Sequence, residues 1–85
     1  MTERLELPET GQVFHAGTSV VAANIWERGE PPAPRAHIVV GEAPAADVTT
    51  GDEVAIGDER WRVEEIVEDP VNRRGRVVLA GPIAG

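Results

Sequence analysis

The stretch 51-GDEVAIGDERWRV-63 carries the triplet Gly-Asp-Glu twice, six positions apart, with only Val54, Ala55 and Ile56 between the copies. Two readings compete: an acidic cluster that holds a cation, or two turns that bracket one short strand. Geometry separates them. If Glu53 to Ile56 is extended, at about 3.3 Å per residue, Asp52 and Asp58 stand roughly 20 Å apart, whereas calcium ligands converge to about 2.3–2.6 Å from one ion. Neither copy has the alternating oxygen ligands of an EF-hand loop. Each Gly-Asp is therefore read as a turn, in which glycine takes positive φ and aspartate bonds nearby backbone. A two-residue loop at Gly57-Asp58 sets Val54 opposite Trp61 and Glu53 opposite Arg62, so apolar meets apolar and opposite charges meet. A three-residue loop pairs Ala55 with Trp61 and scrambles both faces, so the even loop is expected. Past Val63 the alternation fails, because Glu65 falls where an inward apolar residue is due. A β-bulge at Glu64-Glu65 restores it.

The same period of two runs through most of the chain, while nine Gly and seven Pro interrupt any helical window. Strands are expected in RLEL (4–7), QVFHA (12–16), TSVVAANIWER (18–28), AHIVVGE (36–42), WRVEEIV (61–67) and RVVLAGPI (76–83). In 18–28, Val20, Ala22, Asn24 and Trp26 share one face and Val21, Ala23 and Ile25 the other. This places Trp26 in the core, with exposure beside the proline-rich segment as the alternative. GEPPAPR (29–35) is read as a stiff connector, APAADVTTG (43–51) as a loop, and EDPVNRRG (68–75), with Pro70, Asn72 and Gly75, as a turn. The expectation is one all-β domain over residues 1–85, a small β-sandwich or partly open barrel of six to seven short, mainly antiparallel strands.

Composition narrows the function. Fifteen acidic residues against eight arginines, with no lysine, give a net charge of −7, which repels phosphate backbones and anionic membrane surfaces. Nucleic-acid and membrane partners are not expected. Cysteine is absent, which removes disulfides, thiolate metal sites and a cysteine nucleophile. The charged start MTERLELPETG lacks an apolar signal core, and no run approaches the roughly 18 apolar residues of a membrane span. A cytoplasmic location is expected.

Catalytic groups are sparse. Without Cys, Lys or Tyr, the nucleophiles reduce to Ser19 and the threonines, and the bases near neutral pH to His15 and His37. No Gly-x-Ser-x-Gly or Walker loop is present. The carboxylate pairs Asp52-Glu53, Asp58-Glu59, Glu64-Glu65 and Glu68-Asp69 are sequence neighbours, which a strand points to opposite faces. HxH and HExxH spacings are missing. No metal and no cofactor is expected.

The positions Gly51, Asp52, Gly57, Asp58, Trp61, Arg62 and Val63 form a GD-x4-GD-x2-WRV pattern. The run from Thr49 to Asp69 that contains it resembles the C-terminal signature of an uncharacterised family of small actinobacterial all-β proteins. The resemblance implies the fold and no activity.

The leading expectation is a non-enzymatic binding or accessory module that contacts another protein or itself, including as a homodimer. Its candidate contact residues are Trp26, Arg28, Pro31, Pro32 and Pro34 around the proline-rich segment, and Arg73, Arg74 and Arg76 in NRRGR, the one basic concentration. A second expectation, from another class, is a ligand-binding barrel or minor enzyme with His15 and His37 in its mouth. A third is an acidic inhibitor or immunity-like protein, which requires carboxylates gathered on one face.

Overall fold

Short runs of β-branched residues alternating with charged ones, cut by Gly and Pro, cannot bury a helical stripe but can bury one face of a strand. The computed structural model, which describes residues 2–69 and 71–83, contains eight strands and no helix among those residues. They are β1 (Glu3–Pro8), β2 (Gln12–His15), β3 (Thr18–Arg28), β4 (Ala33–Val40), β5 (Ala46–Thr49), β6 (Glu53–Ile56), β7 (Glu59–Val67) and β8 (Arg76–Gly81). Two four-stranded antiparallel sheets, β1-β8-β7-β6 and β2-β3-β4-β5, pack face to face. The sheets do not close into a barrel, so the architecture is an open sandwich, within the expected class of sandwich or partly open barrel. A single parallel bridge, Glu9 to Ala22, links them at one side.

The core is apolar throughout. Trp61, Leu7, Ile25, Ile38, Ile56, Leu79, Val20, Val63 and Val77 have their side chains fully buried, and among the described residues no polar or charged residue is buried as a whole, although Glu9 places its Oε1 out of solvent. Trp61 lies flat against Gly81, where an added Cβ would come within 2.9 Å of the indole.

The hairpin that decided the fold has the expected register: Val54 pairs with Trp61 and Glu53 with Arg62. Gly57 sits at φ 64°, the first central position of the two-residue loop. The ion pair of Glu53, however, runs diagonally to Arg60 at 3.2 Å rather than straight across. The ladder between β7 and β8 shifts between Val63 and Glu65, the bulge that returns Ile66 to the core.

Three expectations are corrected. The strand count is eight rather than six to seven, because the loop 43–51 contains β5, whose Val48 is buried. The connector 29–35 ends at Pro32, since Ala33, Pro34 and Arg35 already belong to β4. Pro34 is tolerated there because β5 begins to pair only at Arg35, so β4 has a free edge where the missing amide would fall. Third, Trp26 is not in the core but 43% exposed. The turn between β7 and β8 forms as read, except that Pro70 lies outside the described residues.

Candidate interaction face

Trp26 is turned outward by a fault in β3. Its pairing with β4 runs regularly to Ala23 opposite His37, then resumes at Trp26 opposite Arg35, so Asn24 and Ile25 together oppose Ala36. Asn24 occupies the left-handed region at φ 55°, which asparagine tolerates better than other non-glycine residues. The extra residue shifts the alternation by one. Ile25 now faces the core at 1% exposure, and Trp26 is carried to the outer face beside Arg35.

The bulge is secured from both ends. Its freed carbonyl accepts from Arg28 Nη1 at 2.8 Å, and the Asn24 Nδ2 donates to His37 Nδ1 at 2.7 Å. The same Arg28 places its guanidinium carbon 4.8 Å from the Trp26 ring centroid and donates from Nη2 to Asp47 Oδ1 at 2.7 Å. Arg35 Nε donates to Asp47 Oδ2 at 3.1 Å. Arg28 thus ties together a backbone carbonyl, an indole and a carboxylate on three different residues. The hydrogen bond from Arg28, with that from Arg35 behind it, holds the Asp47 carboxyl below its ordinary value against the opposing effect of partial desolvation.

This face of β2-β3-β4-β5 continues along the sheet. Phe14, on β2 opposite Ser19, is 67% exposed, and the half-buried Val21 and Val39 pair between the two aromatic ends. The outer face of the other sheet has the opposite character. There Arg4 pairs with Glu64 at 3.0 Å, Arg60 with Glu53 at 3.2 Å, and Arg76 approaches Glu6 at 3.7 Å and Glu65 at 3.8 Å. One face is charged and internally compensated; the other presents aromatic rings, valines and a fixed polar group.

Of the expected contact residues, Arg28 is brought onto Trp26. Pro31 and Pro32 are exposed in the turn after β3, and Pro34, opposite Glu27, points to the other side of the sheet from Trp26. The tryptophan is therefore backed by arginine rather than proline. Arg73 and Arg74 are exposed in the β7–β8 turn, and Arg76 belongs to the charged sheet. Sequence reasoning missed Asn24, Arg35 and Asp47 as members of the constellation. Asn24 carried a usable signal, being a polar residue on the face of Val20 and Ala22.

The two histidines do not converge. His15, at the inward side of β2, bonds through Nε2 to Glu59 Oε1 at 2.9 Å and sets its ring edge-on to Trp61 at 5.0 Å between centroids. The Trp61 indole donates to the same Glu59 oxygen at 3.3 Å, so this trio joins the two sheets. His37 points outward from β4. Neither ring lines the open depression of about 420 Å³ beside Arg62, Ala80 and Pro82, nor the apolar notch of about 160 Å³ formed by Ile38, Val40, Ala46 and Val54. No group of three or more His, Asp or Glu side chains able to hold a metal ion occurs among the described residues. None of the described residues forms a helix long and apolar enough to cross a membrane.

An open antiparallel β-sandwich with one aromatic outer face and one charged outer face is the class this geometry defines. The chain belongs to a family of unknown function, DUF6406, whose family model matches residues 2–82. Comparison with curated proteins and with solved structures gives no match.

Proposed function

We propose that this protein is a non-enzymatic binding module that docks another protein chain on the outer face of β2-β3-β4-β5. The observation that carries the reading is the Asn24 bulge. A regular β3 would bury Trp26, and instead the chain accepts a left-handed asparagine, at a cost of about 1–2 kcal/mol for an ordinary residue, and presents the indole to solvent. Backbone strain of this kind collects at functional positions. Tryptophan and arginine are also the residues that most often dominate binding energy at protein interfaces. Here Arg28 is held before any partner arrives by its bonds to Asn24 and Asp47, with its guanidinium against the Trp26 ring, which lowers the ordering cost of association.

The test is affinity capture from native extract with the wild-type chain and with Trp26→Ala and Phe14→Ala, followed by hydrogen exchange on the captured complex. The expected result is a bound protein that slows exchange in β3 and β4 and is lost with Trp26→Ala. Capture indifferent to both substitutions, or a strict monomer that retains nothing, overturns the reading.

A further inference from the structure

We infer that the occupant of this face is a second copy of the same chain. The inference rests on the reading of the face just given, and charge distribution carries it further. The outer positions of β2 to β5 hold two guanidinium groups, Arg28 and Arg35, and one carboxylate, Asp47, a local charge of +1. The whole chain carries −7, so −8 resides elsewhere. Two identical acidic molecules repel wherever acidic surfaces meet; the outer faces of the two sheets are both free of that surplus, one by ion pairing and one by this composition, and of the two only this one presents exposed aromatic side chains. Its arginines are already spent on Asp47, which leaves little attraction for an acidic partner, and it has no surplus carboxylate to attract a basic one. The apolar remainder, with Phe14 at one end and Trp26 at the other, gains by burial against a surface of its own kind.

Size agrees with a self-contact of modest strength. Strands of 4, 11, 8 and 4 residues, at about 3.3 Å per residue and about 4.8 Å apart, make a face of roughly 430 Å² per copy. Standard interfaces bury about 800 Å² per partner and weak or transient ones less. A contact of that size belongs with weak, reversible association. Its two-fold symmetry would use the same patch on both copies.

Sedimentation of the full chain across concentrations, at about 50 and about 500 mM NaCl, tests this, with salt expected to strengthen association several-fold by screening the like net charges. Trp26 emission supplies a second readout, because it is the exposed indole while Trp61 has 0% exposure. Dimer formation is expected to shift Trp26 emission to the blue and protect it from acrylamide. Trp26→Ala and, independently, Val39→Glu should each raise the dissociation constant tenfold or more. A chain that stays monomeric to about 1 mM overturns the inference, as does a dimer indifferent to both substitutions or one that salt weakens. The two failures are separable: a monomer that still captures a different protein through Trp26 leaves the docking face standing, and a monomer that captures nothing removes both.

Discussion

At the scale of single residues, the departure that shapes the outer face is Asn24, one of four non-glycine residues in the left-handed region among those described. Its φ of 55° is accessible to glycine without strain and poorly accessible to β-branched residues. Asn24→Gly is expected to change stability by a few tenths of a kcal/mol, and Asn24→Val to cost about 1–2 kcal/mol in denaturant unfolding. Glu59 supplies a pH prediction. The hydrogen bond from His15, ahead of a smaller one from the Trp61 indole, lowers its carboxyl from the ordinary 4.5, against partial desolvation. A carboxyl lowered on folding contributes its stability in full above the ordinary value, and that contribution is lost as pH falls through the lowered one. Unfolding free energy is therefore expected to decline with acid below about pH 4.5. In His15→Ala the Glu59 titration, followed by carboxyl NMR, should move upward and the acid decline should shrink. An unmoved titration would assign the lowering to something other than His15.

At the scale of elements, the two tight hairpins differ in how well their residues suit them. The β6–β7 loop places glycine at its positive-φ position, Gly57. The β2–β3 loop places Ala16 at φ 51° before Gly17 at φ 80°, so a residue with a Cβ occupies a site that asparagine fills better. Ala16→Asn is expected to stabilise the protein by about 0.5–1 kcal/mol, seen as a raised Tm. The same contrast explains what was legible in the sequence. Around Trp61, alternation, turn residues and cross-strand chemistry all agreed, so register, loop length and even the bulge at Glu64-Glu65 could be read. Strand β5 could not, because Ala46-Asp47-Val48-Thr49 offers one buried apolar residue between turn formers. The first turn of β4 was hidden by Pro34, whose tolerance depends on where a neighbouring strand stops. The face itself was half legible. Trp26 and Arg28 stood out by residue type, but their partner Asp47 comes from the strand that went unread, and the outward turn of Trp26 depends on a one-residue slip that strict alternation hides.

At the scale of the whole molecule, one glycine limits how the sheet can close around its largest side chain. A Cβ on Gly81 would stand 2.9 Å from Trp61 Cδ2, 3.0 Å from Cε3 and 3.2 Å from the Arg60 carbonyl, and a fully buried indole has nowhere to yield. Gly81→Ala is expected to destabilise by about 1–3 kcal/mol, by overpacking; a loss below a few tenths would mean that β8 shifts freely. That strand has a further consequence. β8 lies between β1 and β7, and every ladder partner of β1 falls between Arg76 and Gly81. The sheet bearing the aromatic face is four successive hairpin-linked strands and can assemble as they leave the ribosome. β1 is synthesised before β8 and stays without its ladder partners until β8 emerges, although it also contacts β3 across the core. Synthesis therefore leaves the β1-β8-β7-β6 sheet incomplete until β8 emerges, and a ribosome that stops short of Arg76 releases a product with an unpaired strand for chaperones and proteases to find.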